Sequence, residues 1–236
     1  MAIKKYFATA DNTISNAFDE TLLSSNKATG SNMGASDILE VFQIYGQATT
    51  SSSELSRVLI QFDTSTISSD RTAEKIPAAG SVKFFLNLYN AKHSSTLPEN
   101  FDLTISAVSQ SWQEGHGLDM VNYTDKTYDG TGSNWIQARH SSSADDGKWT
   151  TAGGDYHASP TFTKNFPEGY EDLSIDVTTL VEEWLDGTKQ NYGFGIKLKD
   201  NLESATKSYY TKKFFARGTE FFFKRPSIEA KWDDSI

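Results

Sequence analysis

Arg57-Val58-Leu59-Ile60-Gln61-Phe62-Asp63 places Val58, Ile60 and Phe62 on one side of an extended chain. Side chains on a strand alternate between faces, so this pattern predicts a strand with one face on a core. The same signal recurs outward from it. Val82, Phe84, Leu86 and Leu88 form an inward set ending at Tyr89, and Leu103, Ile105 and Ala107 form another within Phe101 to Val108. Phe194, Ile196 and Leu198 do the same within Tyr192 to Leu198, with Lys197 and Lys199 outward. Ser208 to Phe215 and Ser227 to Trp232 complete the series. Asp37 to Tyr45 carries apolar residues on both faces, as a central strand does. An ordered run of short strands predicts an all-β protein, a two-sheet antiparallel β-sandwich of the jelly-roll kind, spanning residues 1–236 as one domain.

One helix interrupts the strands. Val177, Leu180, Val181, Trp184 and Leu185 recur at helical spacing. Asp176 or Thr179 can cap its start, Thr179 with Glu182 fits a capping box, and Gly187 suits the stop. Thr64 to Gly80 reads as a long crossover, and Asp63 as a partner for Arg57 or the cap of a turn. Thr21 to Ser36 reads as a loop. The least regular region is about 110–156, rich in Gly and holding Trp112, Trp135 and Trp149. Long loops of this kind often carry function. The plainer expectation is that at least two of these rings plug the open end of the sandwich.

Composition narrows the function. The 236 residues include no Cys, so disulfides and thiolate metal sites are excluded. That absence leans toward folding in a reducing compartment, and Met1-Ala2-Ile3-Lys4-Lys5-Tyr6-Phe7 lacks the apolar run of a signal peptide. No stretch approaches the ~18 apolar residues of a membrane helix. A net charge of -9 argues against nucleic acid as a general partner.

Several blocks resemble the DNRLRE family, also described as disaggregatase-related, a jelly-roll sandwich similar to certain carbohydrate-binding modules. They are Arg57 to Asp63, Leu86-Asn87-Leu88-Tyr89, Trp112-Gln113-Glu114-Gly115, Asp176-Val177-Thr178 through Trp184, Asn191-Tyr192-Gly193 and Arg225-Pro226-Ser227-Ile228. The chain also resembles structural proteins of marine tailed bacteriophages, through Met1 to Tyr6, Ser31-Asn32-Met33-Gly34-Ala35-Ser36 and Phe214-Phe215-Ala216-Arg217-Gly218. These likenesses imply a non-enzymatic virion protein on the capsid, neck or tail, present in several copies and located in the particle.

Candidate sites follow from residue type. Phe221-Phe222-Phe223, read as strand, cannot all face one core, so at least one ring is expected on the other face, against a second layer or a neighbouring chain. With Tyr123, Tyr128 and Trp135 these form the expected interface. The alternative function is recognition of a surface glycan, for which Trp135, Trp149, Tyr156 and Asp155 are the candidate residues. A polysaccharide-cleaving enzyme ranks third. Of Glu114, Asp119, Glu182 and Glu183, none pairs with another in a way that suggests an acid and a nucleophile across a cleft. No catalytic residue or metal ligand is expected. His93, His116, His140 and His157 lack metal-ligand spacing. Asp119, Asp125 and Asp129 share one Gly-rich loop, the composition a calcium ion would use, but match no EF-hand; no cofactor is expected otherwise.

Overall fold

The computed structural model describes residues 1–18, 27–92, 97–118, 132–140 and 147–235, with backbone alone for Tyr210 and Thr211. In chain order these hold β1 (Ala2–Ser15), β2 (Ile38–Tyr45), β3 (Ser53–Phe62), α1 (Thr64–Thr72), β4 (Val82–Leu88), β5 (Phe101–Val108) and β6 (Tyr156–Phe166). Then come β7 (Leu173–Asp176), α2 (Thr178–Leu185), β8 (Phe194–Leu198), α3 (Asp200–Glu203), β9 (Tyr209–Phe215) and β10 (Ser227–Trp232).

The described residues form an all-β, sandwich-like fold with antiparallel pairing throughout. One layer runs β6–β5–β8–β3 and ends on the second half of β1; the other starts on the first half of β1 and runs β10–β4–β7. β1 belongs to both because its partner changes. Tyr6 lies opposite Ile228 of β10, Ala8 opposite Phe62 of β3, and the register shifts between Ala8 and Ala10. β2 pairs with the start of β3 and with β9, which touches the chain after β4 through a bridge of Asn90 to Phe214.

The inward sets predicted for β3, β4, β5 and β8 meet between the layers. Phe62, Phe84, Leu86, Leu103, Ile105, Phe194 and Ile196 are all buried in one cluster. Phe101 and Phe166 stack across β5 and β6 at 5.3 Å, and Phe194 packs edge-on against Trp184 of α2 at 4.8 Å. Truncating a buried Phe in such a core costs about 3–5 kcal/mol.

Several sequence expectations change. The segment Thr64 to Gly80 is not a plain crossover: α1 occupies its first half, capped by Asp63, whose carboxylate accepts the Ser65 N–H at 2.9 Å. Asp63 thus caps, and Arg57 pairs elsewhere. α1 docks through Ile67 and through buried Asp70, which accepts the Tyr6 hydroxyl at 3.0 Å. With α1 and α3, the described residues hold three helices rather than one. In α2 the N-cap is Val177; Asp176 accepts from the Thr178 backbone and hydroxyl, and Glu182 binds Arg71 instead of closing a capping box. Gly187 does end the helix region, at a φ of 80° that glycine adopts without strain. Tyr156–Phe166 forms a strand that starts where the irregular region about 110–156 was expected to end. Phe221 to Phe223 leads into a 3-10 turn over Phe222–Lys224 rather than forming strand.

Candidate functional site

The described parts of the irregular region, 110–118, 132–140 and 147–156, lie against the outer face of the β1–β3 pair. Trp112, Trp135 and Trp149 join Ile14, Leu59, Val108 and Ala138 in a second buried cluster. The indole N–H groups are used: Trp112 donates to Tyr192 O and Trp149 to Asn134 O, each at 2.8 Å. The three rings retain only 8%, 7% and 5% exposure. A ring so covered offers no face to a sugar or a neighbouring chain. Trp135 is therefore corrected as an interface residue, and Trp135 and Trp149 as glycan-stacking residues; the three rings cover the outer face of β1–β3 rather than plugging the open end of the sandwich. Asn32 pins this region. Its Nδ2 donates to the carbonyls of Glu114 and Ser133, and its Oδ1 accepts from Gly34 and Gly117 N–H. Glycines surround it because a Cβ on Gly34 or Gly117 would lie 2.2 Å from Glu114 O or 2.1 Å from Asn32 O.

Where the loop stops, the outer face of β8–β5–β6 stays open as a polar groove of about 930 Å³. The register supplies its floor. Lys197, Thr104 and Thr163 lie in one cross-strand row and Gly195, Ser106 and Thr161 in the next. Asp155 and Tyr156 line it too, so two of the four glycan candidates do meet there. Both are already engaged. Asp155 accepts the N–H groups of Thr150 and Thr151 at 2.7 and 2.9 Å, and Tyr156 donates to Gly153 O at 2.8 Å. Burial, opposed by Arg57, pushes the Tyr156 hydroxyl up to about 12. Tyr156 lies over β8 where a Cβ on Gly195 would meet its ring at 2.0 Å. At the groove's end Arg57 makes a bidentate pair with Glu203, at 2.9 and 2.7 Å, and donates to Gly153 O. Burial, then the Lys189 charge, lowers the His157 imidazole, which also lines the groove. Such a surface can hydrogen-bond a polyhydroxylated ligand through Thr104, Ser106, Thr161 and Thr163. The outward position of Lys197 was legible in the alternation of β8; Thr161 and Thr163 were not, because β6 went unread.

The carboxylates weighed for catalysis lie apart in separate ion pairs: Glu114 with Arg217, Glu182 with Arg71 and Glu183 with Lys189. Among the described residues no three His, Asp or Glu side chains gather as a metal would require. Asp119, Asp125, Asp129 and His93 lie outside the described residues, as do Tyr123 and Tyr128 of the expected interface.

The remaining interface residues form a patch on the opposite layer. Its outer sheet face carries Ile3, Lys5 and Phe7 of β1, Ser227, Glu229 and Lys231 of β10, and Lys83, Phe85 and Asn87 of β4, by register with the buried positions between them. Thr219, itself buried, holds the segment above: its hydroxyl accepts the Phe221 N–H, and its carbonyl accepts Arg225 Nε and Nη2 at 3.3 and 3.2 Å. Pro226, whose carbonyl takes the Ala8 N–H, then returns the chain to β10. Phe222 consequently leans on Phe7 at 4.7 Å and Phe221 meets Phe215 edge-on at 5.6 Å. Phe221, Phe222 and Phe223 nevertheless stay 50%, 49% and 79% exposed. Contiguous exposed aromatics of this kind mark interaction sites far more often than scattered apolar residues do.

No family model matches the chain, and no curated protein matches it.

Proposed function

We propose that this chain is a non-enzymatic structural protein of a tailed-bacteriophage particle, docking on capsid, neck or tail proteins through the phenylalanine patch. The observation that carries the docking is the exposure of Phe221, Phe222 and Phe223 on a segment that Thr219 and Pro226 hold in place. Covering a Phe side chain from water is worth about 1.5–3 kcal/mol. A preordered patch also spends little of that gain on ordering the segment. The virion setting comes from the likeness of residues 1–6, 31–36 and 214–218 to phage structural proteins. Mass spectrometry of purified phage particles tests it: the chain is expected at several copies per particle, and its absence sinks the idea.

A second reading has one specific observation behind it. The groove over β8–β5–β6 brings Asp155 and Tyr156 beside a row of hydroxyls and lysines, suited to a surface glycan. The two functions are compatible, since the groove and the phenylalanine patch lie on different layers. A glycan array should return hits that weaken when Thr104 and Thr163 are both changed to Val; an array without hits removes this reading.

A further inference from the structure

Lys224 and Arg225 differ from the cations around them. On the same outer face Glu229 is held by Lys5 and Lys231, each at 2.9 Å, and Lys83 lies 3.5 Å from Asp176. Nearby Lys213 pairs with Glu40 at 2.6 Å. Neither Lys224 nor Arg225 has a carboxylate partner among the described residues. They rest on the rings: Lys224 Nζ lies 4.7 Å from the Phe215 centroid and 5.2 Å from Phe221, and the Arg225 guanidinium 5.4 Å from Phe222, with its Nε and Nη2 also donating to Thr219 O. In a chain of net charge -9, two cations without a carboxylate partner among the described residues are thus held among exposed phenylalanines.

We propose that this patch takes an acidic protein surface: a partner chain that presents carboxylates beside an apolar side chain, the apolar group covered by Phe222 and Phe223 and the carboxylates met by Lys224 and Arg225. The proposal rests on the docking reading above and specifies the chemistry of the partner. Charge complementarity carries it. A cation fixed over an aromatic face still has donors to give, and burying it at an interface without an anion is unfavourable. Two alternatives fit less well. Two cations neutralise few phosphates, and the overall negative charge repels a polyanion, which disfavours nucleic acid. A second copy meeting patch to patch about a two-fold axis brings two positively charged patches together.

The test has two arms. In the first, the purified full chain is titrated with three labelled probes: a peptide with Glu on both sides of a Phe in a Gly-Ser frame, the same peptide with Lys for Glu, and an oligothymidylate. The acidic peptide is expected to bind preferentially, at least fivefold more weakly to the K224E/R225E variant and more weakly at high salt. Equal binding of the two peptides, or no acidic-peptide binding, overturns the proposal. Oligothymidylate binding lost in the variant assigns the patch to nucleic acid. A concentration-dependent dimer lost in the variant assigns it to a second copy. In the second arm, F222S/F223S and K224E/R225E are compared for incorporation into particles. Both should fall tenfold or more, and K224R, which keeps the charge and leaves the Arg225–Thr219 contact intact, should not. If only F222S/F223S falls, docking stands and the acidic partner is wrong. If neither falls, docking through the patch is wrong as well. Circular dichroism of each variant separates lost binding from lost folding.

Discussion

Glu114 grips Arg217 from 103 residues away, accepting from Nε at 3.0 Å and from Nη2 at 2.6 Å. The same carboxylate takes the backbone N–H of Asp11 at 2.8 Å, and Asp11 in turn accepts the Arg217 backbone N–H. Glu114, the acid of the Trp112-Gln113-Glu114-Gly115 block, therefore ties the loop region to β1 and to the segment after β9.

Replacing it should loosen all three. Glu114→Ala leaves the Asp11 N–H without its partner, at a cost of about 1–3 kcal/mol. In a protein of this size that lowers the melting temperature by about 3–10 °C. Glu114→Gln keeps an acceptor for Asp11 and loses a half-exposed ion pair, which is worth about 1 kcal/mol or less. Differential scanning calorimetry should rank the two variants in that order.

Asp11 gives a pH signature. Burial raises its carboxyl to about 7, with the Arg217 N–H opposing and the Glu114 charge adding to the rise. Between the ordinary 3.8 and about 7 the folded chain therefore holds a proton that the unfolded chain has released. The contribution of this group is complete at acidic pH and is lost as pH rises through 7. Asp11→Asn removes that loss. The melting temperature of Asp11→Asn minus that of the unaltered chain should climb from pH 4 to pH 7 and then level off; a flat difference would contradict this.

Lys212 behaves in the opposite sense. It is buried at 1% exposure, with Nζ donating to Asn90 Oδ1 at 2.7 Å, Gly169 O at 2.9 Å and Glu171 O at 2.7 Å. Burial lowers its ammonium to about 8, against the raising influence of Glu171 and Asp172. Stability from this group should therefore increase as pH rises from about 8 toward 10.5. Lys212→Met should abolish that rise and, by stranding three acceptors, cost on the order of 3 kcal/mol or more in urea denaturation.

The glycines around Asn32 allow a steric comparison. Gly34→Ala and Gly117→Ala each drive a Cβ into a backbone carbonyl, and the loop must shift to admit it. Gly30→Ala meets nothing within 4 Å. The first two should lower the unfolding free energy measured by urea denaturation by roughly 2 kcal/mol or more, while the third is neutral or slightly stabilising.

What the sequence disclosed depended on one-sided burial. β3, β4, β5 and β8 were legible because each sets regular apolar residues on the core face. β1 was not: after the register shift at Ala8 to Ala10, Asp11, Asn12, Thr13, Ile14 and Ser15 are all buried, so no alternation survives. α1 hid because only Ile67 and Asp70 face inward among its Ser and Thr residues, though Asp63 was a readable cap. At the candidate sites, the Phe run is exposed, but on a 3-10 turn and not through the strand alternation the sequence implied. The fate of Trp135 and Trp149 depended on where a long loop lies, which no local spacing encodes.

Because β1 spends its first half against β10, Ala2 to Phe7 wait for a partner that is synthesised long after them. Until residues 227–232 leave the ribosome, Ala2 to Phe7 and the outer edge of β4 stay unpaired, open to pairing with another nascent chain. A chain shortened before Ser227 should consequently accumulate in aggregates rather than as a smaller soluble body.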